Sequence, residues 1–438
     1  MKQILVVGAG RSASSLIEYL VSRAAKNNWF VVVADYDLKL SESKVSNSEN
    51  SSAISFDVNN KEQREKMVSS SELVVSMLPA HMHILLASDC IKFGKNMVTA
   101  SYVSDQIKSL HNQAIEKDII ILNEIGLDPG IDHMSAKKMI DEVHEKGGEI
   151  NSFKSFCGGL VAPEFDNNPW NYKFTWNPRN VVLAGQSTAM YIHNREYKYI
   201  PYHSLFTRIE EVEILSEGVF EAYANRDSLS YREIYDLPNI ATMLRGTLRK
   251  KGFCSAWNIF VQLGMTDDSF QISNSDNMTW RSFLNSFLDY DDQHSVEQKL
   301  INNLSVTDEE LKKLEWLGIL SEERINLSKG APAQFLQELL ESKLNLDKGD
   351  KDMIVMQHQL EFTISNQSKK LTSSLVLKGV DDLNTAMSMT VGLPVAIATE
   401  LILNNKISKK GVVIPIHKEI YNPVLEKLKE FGIEFIEE

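Results

Sequence analysis

Apolar residues recur along this chain in two rhythms. Over the first 130 residues, short apolar runs of strand length alternate with stretches whose apolar residues fall at helical spacing. The runs are "QILVVGA" (3–9), "FVVVAD" (30–35), "ELVVSML" (72–78), "NMVTAS" (96–101) and "DIIILNE" (118–124). The helical pieces are "SASSLIEYLVSRAAK" (12–26) and segments around 61–69, 82–93 and 104–117. Such alternation predicts βαβ units and a mostly parallel sheet buried on both faces. "SESKVSNSENSSAIS" (41–55) is polar and Ser-rich and reads as an exposed connection with a weak helix. "MSAKKMIDEVHEKGG" (134–148) reads as one helix closed by Gly147-Gly148.

From 150 to about 225 the rhythm changes to strands and Pro/Asn-rich loops, with Pro169 and Pro178 as breakers. From about 230 to 342 the text is helical, "TMLRGTLRKKGFCSAWNIFVQLG" included. "DMIVMQHQLEFTI" and "KKLTSSLVLKG" then resemble two antiparallel strands. A Gly- and Pro-marked helix, "LNTAMSMTVGLPVAIATELILNN", precedes a last strand, "GVVIPI", and a last helix. That final βα piece is expected to return to the first sheet.

At 438 residues the chain exceeds the size of a single growing core, so two or three domains are expected. A net charge of −13, with no run of Lys and Arg, disfavours nucleic acid and anionic membrane as partners. Cys90, Cys157 and Cys254 are sparse and odd in number, which argues against a disulfide framework and a zinc site. No signal-peptide pattern opens the chain, and no apolar run reads as long enough to span a bilayer, which takes roughly 20 residues. The expected location is cytoplasmic.

"ILVVGAGRSASSLIEYL" sets Gly8-x-Gly10-x-x-Ala13 between an apolar strand and an amphipathic helix. Gly8 allows the tight turn, Gly10 lets a pyrophosphate approach the backbone, and Ala13 lets helix and strand pack closely. The helix N-terminus then faces the phosphates. Asp35 ends the next strand, 25 residues after Gly10, where a carboxylate accepts the adenosine ribose hydroxyls and repels a 2′-phosphate. No Arg adjoins it, so the expected cofactor is NAD rather than NADP.

Several stretches together resemble the saccharopine dehydrogenase / saccharopine reductase family, which includes the second half of the bifunctional α-aminoadipic semialdehyde synthases. They are "NMVTASY" (96–102), "NEIGLDPGIDHM" (123–134), "CGGLVAPE" (157–164), "NNPWNYKFTW" (167–176), "YANRDSLSY" (223–231), "LRGTLRKKG" (244–252), "GLPVAIATELIL" (392–403) and "KEIYNPVLEKLKEFGI" (418–433). The resemblance implies an α/β fold. Its parts are a Rossmann-like NAD-binding domain (1–125 with 386–438), an α+β substrate and dimerisation domain (126–229 with 343–385) and a helical insert (230–342). It also implies a homodimer and oxidation of saccharopine to glutamate and α-aminoadipate semialdehyde in lysine degradation, and no metal is expected. The chain departs from the NADP-using fungal branch, which carries Cys-Arg-Thr where this chain has "DYD" (35–37). Two other readings are an NADP-dependent reductase of lysine biosynthesis and a catalytically silent dinucleotide sensor.

The reaction sets requirements. A dehydrogenase of saccharopine must position amine and nicotinamide, take a proton from the ammonium form and activate a water. Three carboxylates call for Arg or Lys in a desolvated cleft. By motif match, Arg226 and Arg245 are the candidates. Glu124 and Asp128 follow an apolar strand at the edge where such sheets bind ligands, and both suit a substrate amino group. Asp128-Pro129 also reads as a helix start, with Asp128 as N-cap. The resemblance puts Asp128 in the substrate site. Tyr102 is a hydrogen-bond partner for the reacting amine or an interface aromatic. Cys157 and Gly158 line the site or pack. The base stays open among water, the substrate amine, Asp128 and Tyr102. His133 reads first as packing, and the His81/His83 pair lacks further metal ligands at useful spacing. The implied cofactor contacts are Gly8, Gly10, Arg11, Ser12, Ala13, Asp35, Asp57, Leu78 and Ser101.

Overall fold

The computed structural model describes residues 1–45 and 48–438; Ser46 and Asn47, inside the Ser-rich connection, lie outside the described residues. The chain divides into two units, Met1–Gly148 with Leu375–Ile436, and Glu149–Ser374 with Glu437–Glu438. The first unit opens with β1 (Lys2–Val7), α1 (Ser14–Asn27), β2 (Trp29–Asp35), α2 (Leu38–Lys44), β3 (Ser51–Ser55), α3 (Lys61–Ser70), β4 (Leu73–Ser76), α4 (His83–Phe93) and β5 (Asn96–Thr99). Short helices α5 (Asp105–Lys108) and α6 (His111–Glu116) lead to β6 (Ile120–Leu122) and α7 (Ile131–Glu145).

The second unit begins with the long strand β7 (Glu149–Val161), then α8 (Pro178–Val182), β8 (Ala189–His193), β9 (Glu196–Ile200), β10 (Ile209–Glu213), β11 (Val219–Ala224), α9 (Tyr231–Ile234), β12 (Thr242–Lys250) and α10 (Phe253–Gln262). The ribbon β13 (Ile272–Ser273) and β14 (Lys329–Gly330) brackets α11 (Trp280–Asn285), α12 (Val296–Leu304) and α13 (Asp308–Leu317), and α14 (Pro332–Leu344) follows. Then come β15 (Asp352–Ile364) and β16 (Gln367–Lys378), joined through Ser365 and Asn366. Both turn residues have positive φ, the requirement of a tight hairpin. The chain closes with α15 (Ala386–Leu403), β17 (Gly411–Val413), α16 (Lys418–Lys429) and β18 (Ile436–Glu437).

The first sheet runs β17-β6-β5-β4-β1-β2-β3, and every pairing in it is parallel. Its central strands read as unbroken apolar runs because both faces are covered: Ile4 to Val6, Val31, Val33, Leu73 to Val75, Val98 and Ile121 are fully or almost fully buried. β17 pairs with β6, so the last βα piece returns to this sheet as the pattern predicts. Strand order reverses beside β1, which lies between β2 and β4. Such a reversal is where open α/β sheets bind ligands, outside the carboxyl ends of the strands.

The second sheet runs β10-β11-β12-β7-β15-β16-β18, with β8 also paired to β12 and β9. β12 and β7 run parallel, while β11 and β15 run antiparallel to their neighbours β12 and β7.

Several sequence expectations change. β3, "SSAIS", is a strand within the segment read as a connection; at the sheet edge it needs little apolar surface. β12 lies inside the stretch read as helical. Its Leu, Met and Arg are good helix formers, but burial of both faces holds it extended. α7 starts at Ile131, with Gly130 and not Asp128 at the N-cap position. α15 is long and apolar enough to cross a bilayer, contrary to the sequence reading, yet most of it is buried against the first unit's own core.

Candidate active site

The cofactor cradle belongs to the first unit. Gly8 has φ +100, and a Cβ there would sit 2.7 Å from the carbonyl oxygen of Met77, so only glycine fits. Gly10 is extended, and its added Cβ would meet nothing within 4 Å. The backbone there faces open space, as a bound pyrophosphate requires. Arg11–Ala13 make one 3-10 turn into α1, and Ala13 is buried. The first peptide N–H groups of a helix lack internal partners and suit an anion.

Asp35 does something other than expected. Its Oδ2 accepts the Ala9 N–H at 2.8 Å and its Oδ1 accepts the Asp37 N–H at 3.0 Å. The carboxylate holds the glycine loop onto the end of β2. Asp37 caps α2, accepting the N–H groups of Lys39 and Leu40. Asp57 accepts the Asn59 N–H at 2.9 Å, and Leu78 packs partly buried against the apolar core. Ser12 lies in the 3-10 turn.

Ser101 stands beyond β5 and is held by His83, which the sequence reading weighed only as half of a metal-ligand pair. Buried His83 bridges Ser76 Oγ through Nδ1 at 2.7 Å and Ser101 Oγ through Nε2 at 2.7 Å. Burial lowers the imidazole pKa to about 4, so His83 is neutral near pH 7 and offers one donor and one acceptor. Asn123, fully buried just past β6, has neither side-chain amide atom partnered among the described residues. A buried amide left so is costly unless a ligand or water completes it.

Tyr102 and Asp128 come together: the phenol donates to Asp128 Oδ1 at 3.1 Å. Glu124 is a brace instead. Its Oε1 accepts the Val103 N–H at 2.9 Å and its Oε2 pairs with His133 Nε2 at 2.9 Å, both residues being buried. Glu124 and His133 thus tie the loop after β6 to the loop after β5.

The second unit carries the cationic groups. Thr247 of β12 pairs in register with Cys157 of β7 on one side and Tyr223 of β11 on the other. Residues in register share a sheet face, and Arg245 and Arg249 flank Thr247 two positions away on that face. Cys157 is 9% exposed. Gly158 points to the opposite face, where its missing Cβ leaves room for the Leu248 carbonyl, 2.8 Å from the Cβ position. The close approach it allows is to its own chain. Arg245 is buried over the Tyr231 ring at 4.1 Å. Arg226, at the end of β11, is exposed with φ +43 and has no ion-pair partner among the described residues.

Arg249 is the feature that motif matching missed, although it lies in the same "LRGTLR" and two strand repeats from Arg245. It is 3% exposed, Nη1 donates to the Leu248 carbonyl at 2.9 Å, and Nε has no partner. Tyr172, Tyr223 and Phe253 surround it with ring centroids 5.2, 5.8 and 5.3 Å away. No carboxylate lies within ion-pair distance among the described residues. Glu221, its cross-strand neighbour, is spent on the N–H groups of Gly252 and Cys254. Burial pushes the Tyr172 phenol up to about 12, so that ring does not neutralise the cation.

The geometry agrees with the chain's relatives. A family model described as the saccharopine dehydrogenase NADP binding domain matches residues 4–122, and one described as the saccharopine dehydrogenase C-terminal domain matches 126–433. "Saccharopine dehydrogenase [NADP(+), L-glutamate-forming]" of Schizosaccharomyces pombe is 36% identical over 451 residues, spanning 100% of this chain and 99% of its own length. "Alpha-aminoadipic semialdehyde synthase, mitochondrial" of Bos taurus is 34% identical and matches 99% of this chain; the chain spans 47% of that protein. The solved apo histidine-tagged saccharopine dehydrogenase (L-Glu forming) from Saccharomyces cerevisiae covers 100% of this chain at 32% identity, with a TM-score of 0.90. These likenesses overturn the expectation of NAD: the matching nucleotide domain is described as NADP-binding, and several full-length relatives are named for NADP(+). The physical reason is the orientation of Asp35, whose carboxylate is drawn into the glycine loop and so does not mark a ribose-hydroxyl acceptor.

Proposed function

Since the chain belongs to the saccharopine dehydrogenase family, we propose that it is an NADP-dependent, L-glutamate-forming saccharopine dehydrogenase. In the oxidative direction saccharopine, NADP⁺ and water give glutamate, α-aminoadipate semialdehyde, NADPH and a proton. Two things support this reading: the likeness runs from end to end, and the cradle at Gly10 is open where a dinucleotide would lie. The assignment to lysine breakdown rested on NAD and loses that support; the reductive, saccharopine-forming direction is equally compatible with NADP.

The cofactor supplies hydride transfer. Gly8, Gly10 and the turn at Arg11–Ala13 would hold its pyrophosphate, and Ser101, fixed by His83, stands at the end of β5 on the same edge. Asp128, carrying the Tyr102 phenol, would hold the substrate's ammonium and accept its proton, so that the neutral amine is oxidised. Water then adds to the imine carbon, the C–N bond breaks, and the amine leaves as glutamate. Arg226, Arg245 and Arg249 would pair with carboxylates; Arg249 is a desolvated cation without an anion, the situation a bound carboxylate relieves. We also propose a homodimer in the cytoplasm.

The test is direct. Purified protein with saccharopine and NADP⁺ at alkaline pH should produce the reduced-nicotinamide absorbance band. No band, together with no NADPH oxidation in the presence of glutamate and the semialdehyde, sinks the reading.

A further inference from the structure

NADP differs from NAD by one phosphate on the adenosine ribose, and a dianion there needs a cation near the end of β2. No Arg stands at that strand end, where residues 35–37 are Asp, Tyr and Asp. Two nearby carboxylates would repel the group if they pointed outward. Both are engaged by backbone donors: Asp35 accepts the N–H groups of Ala9 and Asp37, and the exposed Asp37 accepts those of Lys39 and Leu40. Each negative charge is delocalised onto backbone donors of the same corner.

The cation comes from elsewhere. Lys44, the last residue of α2, turns back to the first turn of α1, where its Nζ donates to Ser14 Oγ at 2.6 Å. Ser14 in turn donates to the carbonyl of Arg11 at 3.2 Å. Lys44 is half-buried, and no carboxylate lies within ion-pair distance of it among the described residues. Burial lowers its pKa, the mark of a charge that lacks compensation. Arg11 is exposed and likewise unpaired among the described residues. Tyr36, 81% exposed at the end of β2, presents a flat ring to the same corner. Two uncompensated cations thus flank the one turn of the loop that an adenosine phosphate must pass.

We propose that Lys44, with Arg11, binds the 2′-phosphate of NADP and is the residue that sets the preference for it over NAD. This inference rests on the NADP reading of the preceding subsection. A phosphate would replace Ser14 as the principal partner of Nζ, and the approach of a dianion would supply the charge compensation that the ammonium lacks. Specificity would then come from the end of α2, outside the segment where acidic or basic residues are usually inspected.

Binding of two fragments separates the possibilities. 2′,5′-ADP and 5′-AMP, which carry no nicotinamide and support no reaction, are titrated calorimetrically into the full chain. The wild type should bind 2′,5′-ADP at least about tenfold more tightly than 5′-AMP, since a charge-assisted contact to phosphate is worth about that factor. In Lys44→Met the two affinities should converge while that for 5′-AMP stays the same, and Lys44→Arg should keep the preference. Lys44→Gln repeats the loss if the Met variant proves unfolded by circular dichroism. A wild-type preference that survives in both neutral variants overturns the role of Lys44 and leaves the NADP reading standing. A wild type that binds 5′-AMP as tightly as 2′,5′-ADP overturns the NADP reading, and the Lys44 role with it.

Discussion

Tyr102 donates its phenolic hydrogen to Oδ1 of Asp128 across 3.1 Å, joining the segments that follow β5 and β6. If Asp128 takes the substrate's proton as proposed, the two side chains should act as one unit, because the phenol occupies and orients an oxygen of the carboxylate. Asp128→Asn should lower kcat/KM for saccharopine by about a hundredfold or more, the usual cost of losing an acid–base group. Tyr102→Phe should cost about tenfold, and the double variant should be no worse than Asp128→Asn alone. Steady-state kinetics with each variant, beside an unchanged affinity for NADP, checks this. Effects that multiply would show that the pair does not work together.

Arg249 supports a prediction whose sign is unusual. A buried guanidinium without a carboxylate costs free energy in the absence of ligand, and an apolar side chain of similar length removes that cost. Arg249→Met should therefore melt at the same temperature as wild type or higher. If a substrate carboxylate is the missing partner, the same variant should raise KM for saccharopine by about tenfold or more. Thermal melting with and without saccharopine measures both. A variant that melts lower and keeps its KM would mean that the aromatic cage, and not a carboxylate, is what Arg249 serves.

Strands buried on both faces announce themselves, since a parallel sheet covered on both sides needs an unbroken apolar run. β1, β2, β4 and even the distant β17 were legible for that reason, and so were the glycine turn and the residues that meet at Tyr102 and Asp128. Other parts were not. β3 is Ser-rich because an edge strand can be polar. Asp128 sits where a helix cap would, and only the backbone of the loop shows that the helix starts after Gly130. The direction of Asp35 is set by the N–H groups of Ala9 and Asp37, which leave no trace in composition or spacing. A carboxylate at that position thus carries a cofactor preference only when its orientation is known.

His83 makes acid stability a test of the Ser76–His83–Ser101 bridge. Burial lowers its pKa to about 4 in the folded protein, against 6.5 as the ordinary value. The unfolded chain therefore binds more protons between those values, and stability rises with pH across that window. The contribution is complete above about pH 6.5 and is lost as pH falls toward 4, to a total of about 3 kcal/mol at most. Chemical denaturation at pH 7 and pH 5 should show a larger drop for wild type than for His83→Gln. Equal drops would mean that the imidazole is not held neutral. At pH 7 the Gln variant should also bind NADP more weakly, since Ser101 loses its partner.

The two glycines of the opening loop should fail differently when given a methyl group. At Gly8 the new Cβ would meet the Met77 carbonyl at 2.7 Å from a backbone at φ +100. Both the clash and the left-handed φ act on the folded protein itself, so Gly8→Ala should lose about 1–3 kcal/mol of stability whether or not NADP is present. Gly10→Ala adds a methyl with nothing within 4 Å of it, so its melting temperature without cofactor should match wild type. That open space is where the pyrophosphate must approach, and Gly10→Ala should weaken NADP binding by about tenfold or more. Melting curves and fluorescence titration with NADPH on the two variants separate a structural glycine from a binding one. If Gly10→Ala bound NADPH as tightly as wild type, the dinucleotide would have to lie elsewhere than across this turn.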